Sequence, residues 1–126
     1  MASNDPEGVV RRFCDAWGRG EWASLAGYFT EEATYHNIPM EPVTGREAIA
    51  QFIASFTSGV DHVEFRIHHL ASQGQVVLTE RTDVFRLQGR TVELGVMGAF
   101  EVDDGLISAW RDYFDLNQFM SRLQAG

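Results

Sequence analysis

QVVLTERTDVFRL, residues 75–87, alternates in a pattern that sets the fold of the chain around it. Val77, Thr79, Arg81, Asp83, Phe85 and Leu87 take its odd positions, and Glu80, Thr82 and Arg86 fall among the even ones beside Val76, Leu78 and Val84. A period of two marks an extended strand, because successive side chains point to opposite faces. His62–Leu70 before it, and Thr91–Val102 and Leu106–Asp115 after it, read the same way, so four long strands are expected from residue 62 onward. Ser72-Gln73-Gly74, Gln88-Gly89-Arg90 and Asp103-Asp104-Gly105 place turn residues at the joins. Joins this short make consecutive strands antiparallel neighbours.

Upstream of residue 61 the period is helical. Asn4-Asp5-Pro6-Glu7 combines a capping candidate, a proline for the first turn and an early acid, and Val9, Val10, Phe13, Ala16 and Trp17 follow at helical spacing. Gly18-Arg19-Gly20 should end that helix. A short helix is expected over Trp22–Tyr28, with Leu25 and Phe29 turned inward, then a strand over Ala33–Ile38 that Pro39 and Pro42 terminate. Thr44-Gly45-Arg46-Glu47 opens a third helix with Ile49, Phe52, Ile53 and Phe56 on its apolar face, and Leu116–Leu123 reads as a closing helix. Helices followed by a strand meander predict an α+β domain over residues 1–126. A sheet covered by helices on one side can curve around a cavity, which is a ready place for a site.

Composition narrows the function. The chain has 126 residues, of which 44% are hydrophobic and 12% aromatic, enough for a core and an internal pocket. A net charge of −8 with ten scattered basic residues argues against nucleic acid, whose phosphates require clustered Lys and Arg. The lone Cys14 has no internal disulfide partner, suits a reducing compartment, and sits among apolar helix positions as a small core residue. The polar, acidic MASNDPEG lacks the layout of a signal peptide, and no apolar run is long enough to span a bilayer, so a cytoplasmic location is expected.

Several polar residues fall on faces that should be apolar. Arg81 and Asp83 alternate in phase with Phe85 and Leu87; Leu106, Trp110, Asp112 and Phe114 share a second face; and Tyr35 and Asn37 point the same way on the first strand. Burying two carboxylates and a guanidinium is costly without a full set of partners. Alternation alone leaves two readings open, an ion-pair network that staples strands together and a catalytic site. A metal site is not expected. Adjacent His68 and His69 should project to opposite faces of a strand, and the shared face of His62, Glu64, Arg66 and His68 should meet solvent. His36 should face away from Tyr35 and Asn37, and Met40, Met97 and Met120 are expected to fill gaps in packing. Gly18-Arg19-Gly20 follows a helix and is no phosphate loop.

Taken together, Tyr35-His36-Asn37, Glu80-Arg81-Thr82-Asp83 and Trp110-Arg111-Asp112-Tyr113-Phe114-Asp115 resemble the limonene-1,2-epoxide hydrolase family. That family belongs to a cone-shaped α+β superfamily shared with ketosteroid isomerase and polyketide cyclases. The resemblance also takes in Gly45-Arg46-Glu47 and Gly98-Ala99-Phe100-Glu101-Val102, while the N-terminus is shorter than the arm of some relatives. It implies a strongly curved, mixed but mostly antiparallel sheet with N-terminal helices over it and an internal pocket. It also implies cofactor-free addition of water to a small apolar epoxide, giving a vicinal diol. In that reading Asp112 is the base, Asp83 the acid and Arg81 the bridge between them, with Tyr35 and Asn37 fixing the water. Phe85, Leu94, Val96, Trp110, Phe114 and Phe119 are candidates for the pocket wall. Relatives usually pair through the open face of the sheet, so a homodimer is expected. The alternatives are an isomerase or cyclase of the same superfamily, which needs no second carboxylate, and a non-catalytic module that binds an apolar ligand or mediates dimerisation.

Overall fold

A computed structural model describes residues 5–124. Helix α1 (Pro6–Gly18) carries Val9, Val10, Phe13, Cys14, Ala16 and Trp17 on one buried face, with Pro6 in the first turn. Asp5 holds the N-cap position without a side-chain cap, and Asn4 of the same start signal lies outside the described residues. A 3-10 turn over Trp22–Tyr28 buries Leu25, and helix α2 (Arg46–Thr57) buries Ile49 and Ile53. Helix α3 (Leu116–Gln124) closes the described chain and starts on Asp115, whose carboxylate accepts the Gln118 backbone N–H at 3.0 Å.

Six strands form one sheet in the order β2-β1-β6-β5-β4-β3: β1 (Phe29–Asn37), β2 (Val43–Thr44), β3 (His62–Gln73), β4 (Val76–Leu87), β5 (Arg90–Asp103) and β6 (Leu106–Tyr113). The sheet is curved and antiparallel except where β1 runs parallel to β6. Three hairpins close in two residues, and in two of them, Gln88-Gly89 and Asp104-Gly105, both residues have positive φ. Turns of that hand match the twist of the flanking strands, and glycine carries the second position without a Cβ penalty.

The meander follows the expected alternation with local exceptions. β1 starts at Phe29 rather than Ala33, β3 runs on to Gln73, and β6 ends at Tyr113 rather than Asp115. The short β2, which no periodicity announces in two residues, pairs Val43 with Tyr35. A bulge at Ser108 breaks the phase of β6, because Glu101 faces Ala109 while Val102 faces Ile107. Ile107, not Leu106, therefore shares the buried face with Trp110. A second bulge at His68 lets His68 and His69 reach Thr82 and Glu80, which share one face of β4. The two histidines thus lie on the same outer face, contrary to simple alternation. Met40, Met97 and Met120 are exposed rather than gap-filling, since the core is closed by rings instead.

Phe13 lies at the centre of that core. It is fully buried and meets Trp17, Tyr28, Phe29, Phe100 and Trp110 edge-on, with centroid distances from 4.9 to 6.3 Å. These contacts clamp α1 against the strands beneath the polar cluster. Phe13→Ala is expected to lower the unfolding free energy by about 3–5 kcal/mol in urea titration. A loss under about 1 kcal/mol would show that the surrounding rings collapse into the space.

Candidate active site

Arg81 on β4 is the hub of the buried polar cluster. Its Nε donates to Asp83 Oδ1 at 2.9 Å and its Nη2 to Asp83 Oδ2 at 2.8 Å, so the pair is bidentate. On the other side Nη1 donates to Asp112 Oδ1 at 3.2 Å and Nη2 to Asp112 Oδ2 at 2.9 Å. Nη1 also donates to Thr79 Oγ1 at 3.1 Å, so every N–H of the guanidinium is used. The Phe65 ring caps the guanidinium face at 4.8 Å. Arg81, Asp83 and Asp112 are all at least 96% buried, as their relative exposures of 1%, 3% and 4% show.

The ladder explains how distant stretches of sequence meet. Asn37 faces Asp112 and Tyr35 faces Trp110 across the parallel β1–β6 pair. Tyr35 donates its hydroxyl hydrogen to Asn37 Oδ1 at 3.3 Å, and its ring stacks on Trp110 at 4.1 Å and 8°. Trp110 in turn donates its indole N–H to Asp112 Oδ1 at 2.7 Å. Oδ1 of Asp112 thus receives two donors and Oδ2 one, which leaves Oδ2 the freer oxygen. Tyr35, Asn37, Asp83 and Asp112 all reach the wall of one cavity of about 650 Å³, measured with its open mouth. His36 turns away and donates to the Met40 carbonyl, as alternation predicts.

One guanidinium and two carboxylates leave the cluster one negative charge in excess. Burial pushes the Asp83 carboxyl up to about 6, against the pull of Arg81, and the Asp112 charge adds to the push. Burial opposes the charge of Arg81, but Asp112 and Asp83 outweigh it and hold its pKa well above the ordinary value. Burial and the neighbouring Asp112 also raise the Tyr35 phenol, which stays neutral at all ordinary pH. Cys14 is buried as expected, and burial pushes its thiol up to about 12, so it is no nucleophile.

Comparison with known proteins places this arrangement. The profile of the limonene-1,2-epoxide hydrolase catalytic domain matches residues 4–125. The chain belongs to that family. Epoxide hydrolase EphG of Mycobacterium tuberculosis H37Rv is 32% identical over 118 residues, covering 94% of this chain and 78% of the relative. The solved structure of an M. tuberculosis LEH-like epoxide hydrolase superimposes with a TM-score of 0.82 at 31% identity, over 94% of this chain and 88% of that one. A Shewanella putrefaciens CN-32 structure assigned as a SnoaL-like polyketide cyclase gives a TM-score of 0.85 at 16% identity, covering 96% and 97% of the two chains, and so shares the fold.

Within this limonene-1,2-epoxide hydrolase family member, Phe85, Leu94, Val96, Phe114 and Phe119 line the cavity, and Phe114 does so from the segment between β6 and α3. Trp110 does not. It lies behind the wall with no exposed surface, sandwiched between Tyr35 and Phe100. The remaining apolar lining, which strand alternation did not single out, comes from Trp17, Phe52, Ile53, Phe56, Phe65 and Met40. Phe52, Ile53 and Phe56 belonged to a helix face read as core packing, and helical periodicity gives no sign that such a face borders a cavity. Among the described residues, no group of three or more His, Cys, Asp or Glu is placed to hold a metal ion.

The raised Asp83 carboxyl has a measurable consequence. Its ordinary value is 3.8, so between about pH 4 and 6 the folded protein holds a proton that the unfolded chain releases. The stabilisation from that proton is complete below pH 4 and is lost as pH rises through about 6. Carboxyl carbon NMR of Asp83, assigned with Asp83→Asn, should show a midpoint near 6; a midpoint below 4 would mean that Arg81 overrides burial.

Proposed function

We propose that this protein hydrolyses a small apolar epoxide to a vicinal diol in one step, without a cofactor. One observation carries the reading: two buried carboxylates, bridged by one guanidinium, sit at the polar end of an otherwise apolar cavity. Epoxide opening needs a proton for the ring oxygen and a base for the attacking water. A cluster that carries a single proton on two aspartates supplies both.

Asp83, which keeps its proton up to about pH 6, acts as the acid. Asp112 acts as the base through Oδ2, with Tyr35 and Asn37 holding the water beside it. The water oxygen bonds to an epoxide carbon, the carbon–oxygen bond breaks, Asp83 protonates the departing oxygen and Asp112 takes the water proton. Transfer of one proton from Asp112 back to Asp83 restores the starting state. Phe85, Leu94, Val96, Phe114 and Phe119 favour a compact hydrocarbon frame and exclude bulk water. Proton abstraction from carbon, as in an isomerase or cyclase, requires one base and leaves the Arg81–Asp83 pair without a task.

The test is turnover of cyclic and linear epoxides in heavy-oxygen water, with Asp112→Asn alongside. Wild type should place label in the diol, and Asp112→Asn should lose at least about 10²–10⁴-fold in rate while remaining folded. Label found mainly in a protein carboxylate after a single turnover, or near-normal activity of the variant, would overturn the mechanism.

We further propose that the protein is a cytoplasmic homodimer. Leu78, Met97 and Tyr113 are 46%, 49% and 48% exposed on the outer face of the sheet, where Met97 lies directly opposite Tyr113. A second copy covering the Met97–Tyr113 pair, with Leu78 diagonal to it, accounts for exposed apolar side chains of this size. Sedimentation equilibrium should return a dimer for wild type and a monomer for Met97→Glu. A monomeric wild type at micromolar concentration would refute the pairing.

A further inference from the structure

Arg81 and Asp112 lie on strands that are not neighbours. β5 runs between β4 and β6, so the two backbones are separated by about 9–10 Å at the usual strand spacing. For the guanidinium to meet the carboxylate, both side chains must cross the inward face of β5. The residue of β5 at the crossing is fixed by the ladder: Gly98 faces Thr79 of β4 on one side and Asp112 of β6 on the other. Its inward neighbours on the same strand are Val96 and Phe100, both buried, so a side chain would be the ordinary occupant.

A Cβ at position 98 would lie 2.3 Å from Arg81 Nη1, 2.8 Å from Asp112 Oδ1 and 2.8 Å from Thr79 Oγ1. All three are closer than real Cβ contacts come, and two of them are the partners in one hydrogen bond. A shift of these atoms to make room breaks or lengthens their hydrogen bonds: Nη1 is bonded to Thr79 and Asp112, and Oδ1 to Arg81 and Trp110. Nothing in the backbone calls for glycine, since Gly98 is not among the residues with positive φ. The requirement is one of space.

We propose that Gly98 is a positioning residue: the missing side chain on β5 is the opening through which Arg81 and Asp112 join. Gly98 makes no contact with a reacting atom. It acts through Arg81, by letting one planar cation engage carboxylates on two different strands. Gly95 provides the contrast within the same strand. It lies on the outer face opposite Thr82, and a Cβ there meets nothing within 4 Å.

The activity part of the test rests on the hydrolase reading, and the stability part does not. Gly98→Ala should lower kcat by about 10²-fold or more, the scale on which ångström misplacement of a catalytic group acts, with KM changed only a few-fold because the apolar wall is untouched. Gly95→Ala should match wild type. A Gly98→Ala enzyme with wild-type kcat would overturn the proposal. Independently, Gly98→Ala is introduced into wild type and into the neutral background Arg81→Met/Asp83→Asn/Asp112→Asn, and urea midpoints are compared as a double-mutant cycle. The substitution should lower the midpoint, or prevent folding, in wild type and have little effect once the guanidinium is gone. An equal penalty in both backgrounds, including failure to fold in both, would show that glycine serves something other than the ion pair. If wild type turns over no epoxide, the hydrolase reading fails and the cycle alone decides the role of Gly98.

Discussion

A guanidinium without solvent is the constraint around which this protein is arranged. Arg81 has 1% of its surface exposed, and a buried cation unmatched by anions would cost several kcal/mol. The structure meets this by using every donor: both carboxylates are engaged in paired fashion, Thr79 takes a further N–H, and Phe65 covers the flat face. That solution dictates much else. It fixes the register of β4 against β5 and β6, and it sets the orientation of the Asp112 carboxylate, which Trp110 completes from behind. Trp110 itself is held between Tyr35 and Phe100 and braced by Phe13, so the aromatic core and the polar cluster stabilise one geometry.

The cavity is divided by chemistry. Tyr35, Asn37, Asp83 and Asp112 form a polar end, and nearly everything else on the wall is aromatic or aliphatic. Burial raises the Asp83 carboxyl to about 6, so a proton taken up there relieves the excess negative charge of the cluster. The apolar wall is therefore part of the electrostatics as well as a shape for a ligand.

Much of this was legible in the sequence, for specific reasons. The period of two in residues 75–87 put Arg81 and Asp83 on the face of Phe85, and the short turns made β3 to β6 sequential neighbours, as the ladders show. Tyr35 and Asn37 sharing a face also followed from alternation. What alternation could not supply was phase across a bulge. One extra residue at Ser108 exchanges Leu106 for Ile107 in the core, and one at His68 puts both histidines on the outer surface. Nor does a strand pattern distinguish a wall of a cavity from the layer behind it: Trp110 stands in that layer, while Phe52 and Phe56 of α2 form part of the wall. Exposed Met97 looked like filler because methionine is apolar wherever it stands; its outward position depends on the pairing of β5.

The parallel pairing of β1 with β6 has a consequence for how the molecule comes into being. Every other long ladder joins strands adjacent in sequence and can form as soon as its hairpin is made. The β1–β6 ladder closes a loop that contains most of the chain, and that closure costs conformational entropy before its contacts return any stabilisation. Tyr35 and Asn37 arrive beside Asp112 only through this step. The three hairpins alone bring Arg81 and Asp83 on β4 and Asp112 on β6 to either side of β5, without the groups of β1 beside them. Completion of the polar end of the cavity is thus tied to the ladder with the greatest separation in sequence.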